Sequence, residues 1–146
     1  MIFKKQLLKV QIRKFEPHTD NDNPIARKND LLNEIKKRID LEKAQKNCYG
    51  KIISLKVVYY LNKNSKIRGQ LEKDLDNMTK IVSDTITDYL TDQDKVNNQK
   101  TGLGLIHDDV DIHELHLVKK FVNSDPEQGL DIEIYKWDDK KPGVTT

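Results

Sequence analysis

Residues 52–61 read Ile-Ile-Ser-Leu-Lys-Val-Val-Tyr-Tyr-Leu. A run so rich in β-branched and aromatic side chains has one good place in water, the inside of a sheet. The other elements arrange themselves around that expectation. Segment 6–15 sets Leu8, Val10 and Ile12 in alternation with polar residues, as a half-buried strand requires. Segment 111–122 reads as a further strand, and 129–135 alternates cleanly as a last one. Between them, Asn-Ser-Asp-Pro-Glu-Gln-Gly at 123–129 reads as a hairpin-type connection.

Two segments carry helical spacing. Leu31, Leu32, Ile35 and Ile39 recur every three to four residues and predict one helix over 29–46, with Asn29 or Asp30 as cap and Gly50 past its end. Met78, Ile81, Val82, Thr85, Ile86 and Tyr89 give a second helix one apolar face. Segments 16–24, 62–70 and 91–104 are polar or turn-rich and read as loops, the last ending in Gly102-Leu103-Gly104. The order strand, helix, strand, helix, strand, strand predicts an α/β domain with a mixed β-sheet and flanking helices. That single domain covers 1–137, and 138–146 is expected to be a disordered tail.

The length of 146 residues suits one domain. No apolar run is long enough to span a bilayer, and the polar start does not read as a secretory signal, so a cytoplasmic protein with no membrane partner is expected. The single cysteine, Cys48, excludes an internal disulfide, and in Asn47-Cys48-Tyr49-Gly50 it reads as a small filler. The net charge of +2 hides an asymmetry. Residues 1–73 hold 18 Lys and Arg against 8 Asp and Glu, a balance of +10; residues 74–146 hold 8 against 16, a balance of −8. A basic half suits a phosphate backbone and an acidic half suits a cation, although solvated surface accounts for both equally well.

The acidic half contains Asp74-Leu75-Asp76-Asn77 just before the second helix. In an extended segment, residues two apart point the same way, and two converging carboxylates are costly without a cation between them. Mg²⁺ suits such a pair because it takes few carboxylates and keeps water and phosphate oxygens. The other reading of Asp74 is an Asx-turn and helix N-cap. An EF-hand is excluded, since Thr79 and Thr85 stand where its glycine and final glutamate belong. Lys80 lies four residues after Asp76 and Asp84 four after Lys80, so all three share a helix stripe. There Lys80 can stabilise charge on a phosphate, or simply pair with Asp84 at the surface. Asp108-Asp109 follows the apolar pair Leu105-Ile106; it is either a further set of metal-binding carboxylates or an acidic turn.

The spaced set Asp74-x-Asp76-Asn77, Lys80, Asp84 and Asp108-Asp109 resembles the RusA-type Holliday junction resolvases. The resemblance implies an Mg²⁺-dependent endodeoxyribonuclease that forms a homodimer and makes paired hydrolytic cuts in a four-way DNA junction. Asp74, Asp76 and Asp109 match the family's metal-binding carboxylates and Lys80 its catalytic lysine; Asp108 and Asp84 match supporting positions. Lys63, Lys66, Arg68 and Lys73, in and after the basic loop, are candidates for DNA contact. The loop 91–104 is longer than in the family, and the Pro-rich start is missing. Junction, flap and other branched substrates therefore all stay open, as does a non-catalytic nucleic-acid-binding module or an inactive relative. His107-Asp108 alone also suggests a metal phosphohydrolase, but that chemistry needs further upstream histidines, and only His18 is present.

Overall fold

The computed structural model describes residues 5–67 and 69–137. Four strands form one mixed sheet: β1 (Lys5–Arg13), β2 (Ile53–Asn62), β3 (Ile112–Val122) and β4 (Gly129–Lys136). Their order is β1-β4-β2-β3, with β2 parallel to β3 and antiparallel to β4, and β4 antiparallel to β1. The β-rich run is thus an inner strand, in which only Lys56 and Tyr60 are not buried.

The helices are α1 (Pro24–Lys36), α2 (Leu41–Cys48), α3 (Leu75–Ile86) and the short α4 (Asp92–Val96). The expected single helix over 29–46 is therefore two. Pro24 opens α1 at a position where its missing N–H costs nothing, well before the expected cap. α1 ends at Lys36, and after a short break Asp40, whose side chain accepts from the Lys43 amide at 3.2 Å, caps α2. An Asp that finds its own backbone partner competes with helix continuation, and the apolar spacing through Ile39 concealed this. The expected loop 91–104 also holds a helix, α4, started by Thr91 accepting from the Asp94 amide at 3.1 Å.

Leu31 and Ile35 of α1, Ala44 and Cys48 of α2, and Met78, Ile81, Val82 and Ile86 of α3 share one core with Leu55, Val57 and Tyr59 of β2 and Ile132 and Ile134 of β4. The buried Tyr59 hydroxyl is not orphaned: it lies 2.8 Å from Thr79 Oγ1. Cys48 is fully buried, and burial pushes its thiol up to about 11, which leaves it a packing residue and no nucleophile. The other face of the sheet carries a polar network: Arg13 reaches Asp131 at 2.8 Å, lies over the Tyr60 ring, and Tyr60 donates to Asp131 at 2.8 Å.

The connection 123–128 does not make a hairpin. β3 and β4 run antiparallel, but β2 lies between them. Two strand spacings are only about 10 Å, which six residues step across easily. The step is fixed by the end of β2: the Asn62 amide donates to Gln128 Oε1 at 3.0 Å and the Asn62 side chain to Asp125 at 2.8 Å. Gly129 then enters the sheet where a Cβ would collide with the Ile12 carbonyl. Among the described residues no helix is long and apolar enough to cross a membrane. The tail 138–146 lies outside the described residues.

Candidate active site

One cleft of about 490 Å³ brings together α1, α3, α4 and the approach to β3. Its lining includes Lys28, Lys80 and Lys95 and the carboxylates of Asp20, Asp84, Asp92, Asp108 and Asp109, with His107 beside them. The acidic pair reaches the cleft because the chain before it is tied to the end of α3. Leu103 and Leu105 donate backbone hydrogen bonds to Thr85 and Ile86, and Gly102 and Gly104 to Asp88 and Thr87, all at 2.9–3.0 Å. Gly102 is required there, since a Cβ would meet the Thr87 carbonyl. Leu103, Leu105 and Ile106 are buried, which anchors the segment.

The carboxylates of the cleft are held by tertiary partners. Asp84 Oδ2 lies 2.8 Å from Nζ of Lys28, whose side chain is buried and also donates to the Leu90 carbonyl at 2.9 Å. Asp108 faces Lys95 at 3.1 Å and accepts from the Asp109 amide at 2.6 Å, which starts a short 3₁₀ turn over Asp109–Asp111. The hydrogen bond from the Asp109 side chain, reinforced by Lys95, holds the Asp108 carboxyl down at about 2. Asp109 is shifted the opposite way: its contact with Asp108, then burial, then the charges of Asp108 and Asp84 raise it above the ordinary carboxylate range.

Two of the expected metal carboxylates sit elsewhere. Asp74 is the N-cap of α3, accepting from the Asp76 amide at 3.0 Å, so the Asx-turn geometry holds and the extended pair does not. Asp76 is exposed in the first turn of the helix and borders neither this cleft nor the hollow that Asp74 shares with Lys73 and His18. Helix spacing still places Asp76 one turn before Lys80 on the stripe that enters the cleft at Lys80 and Asp84. Among the described residues no three His, Cys, Asp or Glu side chains meet as a ready-made cation site. The cluster of Asp74, Asp76 and Asp109 is therefore not assembled here.

The expected Lys80–Asp84 pair is replaced as well. Lys80 lies 3.4 Å from Asp20, in the loop before α1, while Asp84 turns to Lys28. The loop is held there by the Asp20 amide donating to the Asn77 carbonyl at 3.1 Å. Of the basic candidates, Lys63 and Lys66 are exposed after β2. Lys73 is tied inward, donating to the Pro17 carbonyl at 2.7 Å with Glu16 at 3.6 Å, and burial lowers its pKa. Arg68 lies outside the described residues.

Reading the sequence missed Lys28, Lys95 and the group behind His107. Lys28 had a signal: with Leu31 and Ile35 it completes an i, i+3, i+7 stripe, so a lysine stands on the buried face of α1. Asp88 is buried and accepts from Tyr49 Oη at 2.8 Å and from His107 Nδ1 at 2.9 Å, an arrangement that links α2, the end of α3 and the acidic turn. Nothing in the spacing of Tyr49, Asp88 and His107 announces that contact.

The donors in the cleft suit a hard cation in kind: they are carboxylate oxygens, with Asp108 and Asp109 adjacent and Asp84 lining the same hollow. Mg²⁺ needs only one or two protein carboxylates, the rest being water and phosphate oxygens. No family model matches this chain, and no curated protein matches it in sequence.

Proposed function

We propose that this protein is a Mg²⁺-dependent endodeoxyribonuclease that cuts branched DNA, with a four-way junction as its preferred substrate. The observation that carries the reading is the cleft itself: Lys80, Asp84, Asp108 and Asp109, drawn from two distant parts of the chain, line one hollow. They are four of the six positions assigned by the resemblance to the RusA-type resolvases. Asp109 and Asp84 would hold the cation from the cleft, with Asp76 and Asp74 at the start of the same helix. The ion supplies an activated water and offsets charge on the scissile phosphate. Lys80, mostly exposed and paired among the described residues with Asp20, can turn toward a phosphate and stabilise its developing charge. Lys28 fixes Asp84 and Lys95 fixes Asp108, so neither carboxylate has to be organised when DNA arrives. Lys63 and Lys66 supply exposed positive charge for the backbone. A homodimer would present two such clefts to the two strands cut in a junction.

The second reading is a non-catalytic nucleic-acid-binding module. It is favoured by one observation: Asp74, Asp84 and Asp108 already have protein partners. Incubating the protein with a synthetic four-way junction and with linear duplex, in Mg²⁺ and in EDTA, decides between them. Paired cuts confined to the junction and dependent on Mg²⁺ support the nuclease. Tight junction binding with no cutting in any divalent cation supports the binding module.

A further inference from the structure

Among the described residues β3 is an edge strand: it pairs with β2 on one side and with nothing on the other. It is also the longest strand, with 11 residues. A long open edge exposes a row of unpaired amides and carbonyls, and natural proteins either block such an edge or use it. This one is not blocked by a proline or a short length, and it is flanked by exposed apolar side chains. Leu115 and Phe121 are 49% and 54% exposed on the side where the helices pack, and Leu71 stands exposed in the loop whose carbonyl binds Lys119. Two lysines, Lys119 and Lys120, would oppose most pairings. Lys119 is already engaged, donating to the Leu71 and Lys73 carbonyls at 3.2 and 2.8 Å.

Among the described residues the exposed Lys120 side chain has no ion-pair or hydrogen-bond partner, and Glu114 has an Oε1 that is shut off from water with no hydrogen-bond partner either. These two residues lie on the same face of β3, three positions either side of Leu117, which is the midpoint of the strand. If two copies of β3 pair antiparallel about Leu117, every residue of the strand finds a partner. Each Glu114 then falls opposite a Lys120, twice across the axis. Shifting the register separates those charges and shortens the overlap.

We propose that β3 pairs antiparallel with β3 of a second copy of this chain about a two-fold axis through Leu117, joining the two four-stranded sheets into one. The paired-cut reading requires a dimer but gives it no location. The edge provides that location on independent grounds, and its test needs no cutting.

The test is molar mass by light scattering during size exclusion, with circular dichroism confirming the fold of each variant. The unaltered chain should run at twice its 17.0 kDa mass. Glu114→Lys and Lys120→Glu each put like charges opposite one another at two places, and should weaken the dimer about tenfold or more. The double variant, with both charges exchanged, should restore it, as should mixing the two single variants. Should Glu114→Lys fail to fold, Lys120→Glu at its exposed position carries the test, and added salt should recover part of its dimer. A monomeric parent, single reversals that leave the mass unchanged, or folded exchanged chains as weak as the single variants would each overturn the proposal.

Discussion

The two ends of α3 carry the same residue type for different reasons. At its start, Asp74 and Asp76 are exposed, and Asp74 is accounted for by the amide it caps. At its end, Asp84 and Asp88 depend on partners from other elements: a buried lysine of α1, a tyrosine just past α2 and a histidine of the acidic turn. A carboxylate explained by its own backbone is compatible with a structural role alone. Asp88, buried and held from two other parts of the chain, has a desolvation cost that local structure does not require. The end of the helix therefore points to a site more strongly than its motif-bearing start.

The sharpest way to break that contrast is Asp76→Asn. On the nuclease reading it lowers Mg²⁺-dependent junction cutting by at least about a hundredfold, because a metal carboxylate is gone, and leaves junction binding near its original level. Unchanged cutting in a gel assay would leave the start of α3 with its capping role only. Next comes Lys28→Met, expected to cost about 2–3 kcal/mol in urea unfolding, since it strands Asp84 and the Leu90 carbonyl. Adding Asp84→Leu should recover part of that loss, and strictly additive losses would show that the pair is not coupled. Asp74 provides a finer cut. Asp74→Ala should cost about 1 kcal/mol as a lost cap, while Asp74→Asn, which caps equally well, should cost almost nothing and yet reduce cutting if the carboxylate charge matters. Smallest of all, Lys80→Gln should change stability by under about 0.5 kcal/mol, as its pair with Asp20 is at the surface, so any loss of cutting reports on chemistry.

The strands were legible because their patterns are local and strong. Residues 52–61 announced an inner strand, and Leu8, Val10 and Ile12 a half-buried one, since alternation and β-branching act within a few residues. The break between α1 and α2 was not legible, because Ile39 continues the apolar spacing although α1 has stopped at Lys36 and Asp40 starts α2 through a single side-chain bond. Nor was the position of β4. A short turn-rich connection looks the same whether its strands touch or straddle a third. The site divided along the same line. Lys80, Asp84, Asp108 and Asp109 were found from spacing, and the structure gathers them. Their partners Lys28, Lys95, Asp88 and Tyr49 come from elsewhere in the chain, where only tertiary packing decides who meets whom.

The ties between 102–105 and the end of α3 have a consequence for how such a protein can diversify. Both ends of the stretch from α4 to Thr101 are pinned, at Thr91 and at Gly102, while the residues between lie on the surface. Length added or removed around Asn97–Lys100 is absorbed outside the pinned ends and leaves the acidic turn in place. Variation can therefore reshape the rim of the cleft without retuning the groups inside it, and this loop becomes a site of tolerated change.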